Sequence, residues 1–580
     1  MGIDVGGTFT DLLVCDDDGS TRIFKAPTTP ADPSLGVFDA LEQAARGDRS
    51  ELQDFLSGVD AIVHGTTITT NAVLTRSGAR TGFITTRGFR DLLAMRRGMK
   101  TGERYDLEQA PPPTLVERAL TLTVTERVDA KGSIITPLAE DEVRAAGETL
   151  RAAEVEAVAV SYLWSFLNPA HELRTREILE KTLPGVYISL SSEVLPQIRV
   201  YERHSTTALN SYTGPPLARY LDKLEQRLGN NGFCGVLNIM QSNGGCMSPR
   251  VTSRFAVNTL LSGPAGGPGA GTHYGSTHDY NNLISVDMGG TSFDVALVRD
   301  GRAAVTSENE VGGFHVAVPM LDIHTVGAGG GSIAGVDDGG ILHVGPTSAG
   351  PIHAVPIARE LGIDTLLVPR ESSVFCAAGM LLSDLKHTYI RTCAMVGSLV
   401  DFAVINEVIQ NLGEMALATF REEQVAGVDV SLDFSADLRY VGQFNEVEVP
   451  GFAEGKADSA AWEQLVSRFH HLHDERFGYS MPQAEVELIN LRLSATGATR
   501  KPETRKHEPG GAAADHARKG ERPAWFDNRM ITVPVYDGLA LRPGNRLPGP
   551  AIIEQPTTTI VLPGDTELSC DEWGNYLLET

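Results

Sequence analysis

The stretch "MGIDVGGTFTD" (residues 1–11) decides how this chain is read, because its spacing of acids and glycines returns at "DMGGTSFD" (residues 287–294). Aligned on their acids, Asp4-x-Gly6-Gly7-Thr8-x-x-Asp11 and Asp287-x-Gly289-Gly290-Thr291-x-x-Asp294 match position for position. Each follows one apolar strand and leads into another ("LLV", "VALV"), which runs on to an Asp-Gly turn at Gly19 or Gly301. The spacing predicts one β-hairpin unit used twice. Two adjacent glycines let backbone N–H groups face one concavity, and threonine adds a hydroxyl donor, so such a turn cradles phosphate without lysine. The flanking aspartates would repel a bare phosphate. Magnesium removes that conflict, because it is held by one or two carboxylates together with substrate phosphates and water. Two such turns facing each other would grip a nucleotide triphosphate from both sides. Asp4 and Asp287 are therefore assigned to Mg2+ or its waters at the catalytic centre, and Gly6, Gly7, Thr8, Thr10, Gly289, Gly290 and Thr291 to the phosphates. Asp11 and Asp294 either contact the ligand or brace the turns by accepting backbone N–H bonds.

The rest of the composition is that of an ordinary globular chain: 580 residues, 42% hydrophobic and 21% charged. No run approaches the roughly 18 apolar residues of a membrane span. Length alone suggests about three or four domains. With 49 basic against 74 acidic residues the net charge is −25, which argues against nucleic acid or an anionic membrane as partner. Six cysteines without a C-x-x-C pair, and no basic-then-apolar leader, make the cytoplasm the expected location.

Strand and helix signals alternate from the start. Residues 2–26 read as a β-meander, 34–46 and 170–183 as helices, and 61–67 and 155–164 as strands. The expected units are residues 1–184, residues 185–397, an α+β segment at 398–500, a charged linker at 501–527 and a small β-domain at 528–580. Within 398–500, "LRYVGQFNEVEV" reads as one alternating strand. Gly327, Gly329, Gly330, Gly331 and Ser332 in "VGAGGGS" form a third glycine cradle, either a ligand turn or a close-packing one. His64, Thr66, Thr67 and Asn71 follow a strand and either line an acceptor-substrate pocket or, for the histidine, sit satisfied in the core. Glu202 or Arg203 in "YERH" lines a site or forms an interdomain ion pair. His470, His473 and Asp474 share one helical face, which reads as a solvated surface before it reads as a metal site.

The paired turns resemble the two phosphate motifs of the actin, sugar-kinase and heat-shock chaperone superfamily, and no G-x-x-x-x-G-K-[ST] motif occurs. Four more stretches narrow the likeness: "HGTTITTNAVLTRSGARTGFITTRGFRDLL" (64–93), "YERHSTTALNSY" (201–212), "LSGPAGGPGAG" (261–271) and "DIHTVGAGGGSIA" (322–334). With the C-terminal "PGPAIIEQPTTTIVLPGD", they are similar to the hydantoinase A and 5-oxoprolinase family across nearly the whole chain. The resemblance implies an α/β fold with two ribonuclease-H-like, actin-like ATPase lobes, an additional α+β domain and a small C-terminal β-domain. It implies ATP and Mg2+ as cofactors and phosphorylation of the carbonyl oxygen of a hydantoin- or 5-oxoproline-like lactam before hydrolysis. A hydantoinase B-like partner in a hetero-oligomer goes with it. The alternatives are the ATP-binding subunit of an acetone/acetophenone-type ketone carboxylase, which would also use bicarbonate, and a non-catalytic scaffold subunit. One departure stands out. Between "GPTSAG" (345–350) and "PIHAVPIARELGI" (351–363) relatives carry a long helical segment that ends in an adenosine-binding Gly-Gly-Ala-Gly-Pro turn. Here only Ala349-Gly350-Pro351 remains. Either residues are missing from the sequence at this join, or a deletion impairs adenine binding.

Overall fold

The computed structural model describes residues 1–29, 32–97, 114–289, 292–326, 333–336, 342–345, 354–423, 429–452, 455–526 and 529–580. Gly290, Thr291, the cradle residues Gly327, Gly329, Gly330, Gly331 and Ser332, and the 350/351 junction lie outside the described residues.

The N-terminal meander forms as its alternation requires. Ile3, Val5, Leu12 and Val14 are buried in one core, and the strands Gly2–Val5, Phe9–Cys15 and Thr21–Pro27 pair antiparallel in sequence order. The helix Pro33–Gly47 follows, with Pro33 in its first turn and Asp32 accepting from the Ser34 N–H. Its apolar face, Val37, Phe38, Leu41 and Ala44, closes that core together with Leu217, Leu221, Leu224 and Leu228 of the long helix Val200–Asn230. The chain then enters Ala61–Gly65, which lies parallel to Gly2–Val5 and places His64 beside Ile3 and Gly65 beside Asp4.

This meander is one end of a ten-stranded mixed sheet. From the far end the order is Val447–Pro450, Val430–Tyr440, Val486–Gly497, Leu385–Val396, Cys246–Met247, Val236–Met240, Ala61–Gly65, Gly2–Val5, Phe9–Cys15 and Thr21–Pro27. The strands of residues 398–500 extend the sheet begun at residue 2. The linking pair is Leu385–Val396 with Val486–Gly497, held in register from Leu385↔Gly497 to Val396↔Glu487. A second core, from helices Phe402–Glu422 and Ser459–Phe477, covers this end. A four-stranded parallel sheet, Tyr187–Leu190, Ala157–Ser161, Thr81–Thr86 and Thr121–Val124, has its own core. The second acidic hairpin, Leu283–Met288 with Phe293–Arg299, belongs to a third sheet with Arg302–Ala303 and Ile323–Val326.

Three expectations need correction. "LRYVGQFNEVEV" is two strands, since Val430–Tyr440 ends before a turn and Val447–Pro450 returns antiparallel. The expected linker contains the strand Arg518–Phe526, paired with Arg529–Asp537; it is almost wholly exposed, so no apolar alternation betrays it. The C-terminal β-unit also takes in Thr365–Val368 from the middle of the chain, which pairs with Tyr576–Glu579.

Candidate nucleotide site

The two hairpins are built alike. In the first, Asp4 lies opposite Asp11 and the Gly6 N–H donates to the Phe9 carbonyl at 3.0 Å; in the second, Asp287 lies opposite Asp294 and the Gly289 N–H donates to the Ser292 carbonyl at 3.0 Å. Gly7 and Gly289 are exposed, and a Cβ at Gly7 would meet nothing within 4 Å, so the mouth of the first turn is open. The carboxylates converge: Asp4 is repelled by Asp11, Asp287 and Asp294 together.

Packing of small residues makes this convergence possible. The helix Gly266–Ser276, from "SGPAGGPGAG", crosses the helix Phe375–Leu381 at a distance that only glycine allows. A Cβ on Gly379 would lie 1.8 Å from the Gly266 carbonyl oxygen. The crossing presses Cys376 against the second hairpin, where its thiol donates to Asp287 Oδ2 at 2.8 Å. A Cβ on Gly65 or Gly263 would come within 3.1 or 3.2 Å of Asp4 Oδ1, so both glycines leave room for that carboxylate.

Electrostatics set the site apart. Asp4 is half-buried as a residue, but its Oδ1 is shut off from solvent and has no hydrogen-bond partner among the described residues. Burial, reinforced by the neighbouring carboxylates, pushes its pKa up to about 8. Burial likewise raises Asp287 to about 6, against the lowering effect of the Cys376 hydrogen bond. Asp11 and Asp294 are also raised by burial, less opposed by Lys25 in the first case and by Thr325 and Ser292 in the second. Four crowded carboxylates and an orphaned Asp4 oxygen suit a divalent cation. No group of three or more His, Cys, Asp or Glu side chains is poised around a metal among the described residues.

The structure redistributes several expected roles. Asp11 forms an ion pair with Lys25 at 2.6 Å, and Asp294 accepts from Thr325 Oγ1 at 2.6 Å and Ser292 Oγ at 3.2 Å, so both acids are engaged by side chains, where ligand contact or bracing by backbone N–H groups were the two alternatives. Thr8 is exposed at the turn, whereas Thr10 is buried against Thr28 Oγ1 at 3.1 Å and does not face the mouth. His64 is fully buried; its Nε2 meets the Tyr220 hydroxyl at 2.8 Å and its Nδ1 the Ile3 carbonyl at 3.3 Å. Burial lowers it to about 4, so it is a neutral core residue with no free atom for a substrate. Thr66 is buried, its carbonyl accepting from Ser262, while Asn71 is exposed and donates to Thr67 Oγ1. Arg203 is wholly buried and donates to the carbonyls of Tyr162, Leu163 and Gln197. His470 and His473 are hydrogen-bonded to Tyr440 and to the Tyr479 carbonyl within an aromatic cluster.

Two residues escaped the sequence reading. Lys25, the one cation against these carboxylates in the contacts above, was legible: a hairpin centred on Asp18 pairs Leu12 with Phe24 and so Asp11 with Lys25. Cys376 was not, since nothing local ties it to a residue 89 positions away.

Comparison with known proteins gives three matches that together span most of the chain. They are the hydantoinase/oxoprolinase N-terminal region over residues 1–183, hydantoinase/oxoprolinase over 203–350 and 349–389, and the hydantoinase/oxoprolinase C-terminal domain over 399–579. The caprolactamase subunit alpha of Pseudomonas jessenii is 30% identical, with 100% of this chain and 98% of that protein aligned. The alignment runs over 686 positions against 580 residues here, so more than a hundred have no counterpart in this chain. The acetophenone carboxylase gamma subunit of Aromatoleum aromaticum is also 30% identical, over 100% of this chain and 96% of that one. Among solved structures, the ATP-dependent caprolactamase of Pseudomonas jessenii superposes with a TM-score of 0.91 over 100% of this chain and 99% of that one. A nucleotide-free acetone carboxylase chain, 25% identical, gives 0.77 over 100% and 99%.

Proposed function

The chain belongs to the hydantoinase/oxoprolinase family, and on that premise we propose that it is the ATP-binding subunit of an enzyme that opens a hydantoin- or 5-oxoproline-like lactam. One observation carries the reading: two hairpins of identical register bring Asp4 and Asp287 to one place, with Lys25 and the glycine turns around it. We take the two hairpins to belong to the two ribonuclease-H-like lobes of an actin-like ATPase, in the cytoplasm.

The chemistry asks little of the protein beyond positioning. An amide oxygen already carries a lone pair with which to attack phosphorus, so no base is needed to remove a proton. Transfer of the terminal phosphoryl group from ATP to that oxygen releases ADP and activates the carbon; one water adds there, the ring C–N bond breaks with the nitrogen taking a proton, and a second water hydrolyses the resulting acyl phosphate to the carboxylate and phosphate. The Gly6 and Gly289 N–H groups close their own turns, so the Gly7 N–H and the exposed Thr8 hydroxyl are the donors left for phosphate oxygens, and Lys25 holds positive charge beside them while fixing Asp11. Asp4 and Asp287 would hold Mg2+, which when bound neutralises phosphate charge. Cys376 keeps one oxygen of Asp287 engaged and leaves the other free.

A second reading, the ATP-binding subunit of a ketone carboxylase, is supported by the equal identity to the acetophenone carboxylase subunit. A third, a scaffold without turnover, draws on the family match that breaks at residues 349–350, where the adenosine turn is expected. All three include a hydantoinase B-like partner, consistent with relatives that are named as subunits. The test is reconstitution with the partner subunit and measurement of ADP release with hydantoins, 5-oxoproline and ketones, with and without bicarbonate. Lactam-dependent, bicarbonate-independent release is expected. Bicarbonate-dependent release on ketones would replace the hydrolase by the carboxylase, and no release with any acceptor would leave the scaffold.

A further inference from the structure

Away from the acidic hairpins, a second group of polar side chains lacks partners. It gathers where Arg97, just after the short helix Leu92–Met95, the start of the helix Val200–Asn230, the strand Phe314–Val316 and the turn after Tyr440 meet. Arg97 pairs with the buried Glu202, and Arg199 Nη2 donates to the Phe444 carbonyl at 2.6 Å and to Glu446 Oε2 at 2.5 Å. Both guanidinium groups lie over the Phe444 ring, at 6.0 and 4.4 Å from its centre. Yet Arg97 Nε, Arg199 Nη1 and His315 Nε2 are shut off from solvent and have no hydrogen-bond partner among the described residues. His315 lies tilted beside Tyr201, with 6.1 Å between ring centres, and feels the charges of Arg97, Glu202, Glu308 and Glu310. Buried donors without acceptors are costly, and several in one place mark a missing ligand. Arg96 and Arg199 also hold left-handed backbone, with φ of 55° and 83°, a strain that non-glycine residues accept where a side chain must be aimed.

One carboxylate already reaches for the gap. Glu308, 59% exposed, lies 3.8 Å from Arg97 Nη2 and 3.7 Å from Arg199 Nη1, too far to hydrogen-bond to either. We propose that Arg97, Arg199 and His315 form a binding site for a small monocarboxylate, which enters from solvent and displaces the Glu308 side chain. A monocarboxylate exchanges for Glu308 without changing the local charge, whereas a phosphate dianion adds one charge beside Glu202 and Glu446. The planar, two-oxygen group also matches the guanidinium fork. The site stands independently of the nucleotide reading.

The test uses the full chain, with acetate as probe at constant ionic strength, followed by calorimetry and melting temperature, and with phosphate in parallel. Glu308→Gln removes the internal competitor and should bind acetate about tenfold more tightly than the parent chain. Adding Arg199→Gln or Arg97→Gln should abolish that binding while the circular dichroism of the folded chain is kept. Circular dichroism identifies any variant that fails to fold, and Arg199→Lys, which keeps the charge and loses the fork, should still weaken acetate. Absence of acetate binding in Glu308→Gln, binding that survives both arginine changes, or stronger binding of phosphate would overturn the proposal. So would loss of partner-subunit association in Arg199→Gln without any acetate binding, because the arginines would then serve an interface.

Discussion

Asp4 governs how the stability of the chain responds to pH. Its folded pKa of about 8 lies above its ordinary value of 3.8, so between those values the folded chain holds a proton that the unfolded chain has released. Stability therefore falls as pH rises through that window, by at most about 1.4 kcal/mol per pH unit for this group. Asp4→Asn, neutral at every pH, should match the parent at or below about pH 3.8 and exceed it by a margin that grows up to pH 8 in metal-free urea unfolding; parallel pH profiles for the two chains would refute the assignment. Asp287 adds a smaller effect of the same sign, ending near pH 6. For turnover the expectation reverses, because the ionised form is the one that holds a cation. Asp287→Asn should lower ATP turnover by about a hundred- to a thousandfold, the usual cost of one lost electrostatic contact in a site of this kind. Its circular dichroism should be unchanged, and near-parental turnover would remove Asp287 from the site.

At the level of elements, the crossing of Gly266–Ser276 on Phe375–Leu381 sets the position of the second hairpin. Gly379→Ala places a methyl group 1.8 Å from the Gly266 carbonyl oxygen, and backbone on both sides must move apart. A loss of about 1–3 kcal/mol is expected from denaturant unfolding, together with weaker nucleotide binding as Cys376 draws back from Asp287. Unchanged stability would mean that the two helices are not in contact. The hairpins themselves were legible as elements from the acid, glycine and Asp-Gly turn spacing, whereas the Lys25 partner of Asp11 could have been found from the turn position and was missed. The strand Arg518–Phe526 was not legible, because an exposed edge strand buries too little to leave a pattern.

Across the whole molecule, the ten-stranded sheet makes the segment after residue 398 inseparable from what precedes it. Leu385–Val396 would lose its partner Val486–Gly497 in a chain cut at residue 398, exposing a twelve-residue edge and removing most of the largest core. Such a fragment should lose near-ultraviolet dichroism and yield to limited proteolysis, whereas a stable, protease-resistant fragment would show that the sheet divides into independent parts. Among the described residues no helix is long and apolar enough to cross a membrane.

What the sequence determined by itself was the repeated unit: spacing within eight residues dictates a hairpin and its register, because strand pairing and glycine turns are local. It also carried the family likeness, through motifs that are themselves short. Tertiary structure alone decided which side chains face one another across long stretches of chain. Burial orphaned Asp4 and neutralised His64, Cys376 came to Asp287 through a helix crossing, and Glu308 was left between Arg97 and Arg199. Those outcomes depend on desolvation and on contacts between residues tens to hundreds of positions apart, which no local pattern encodes.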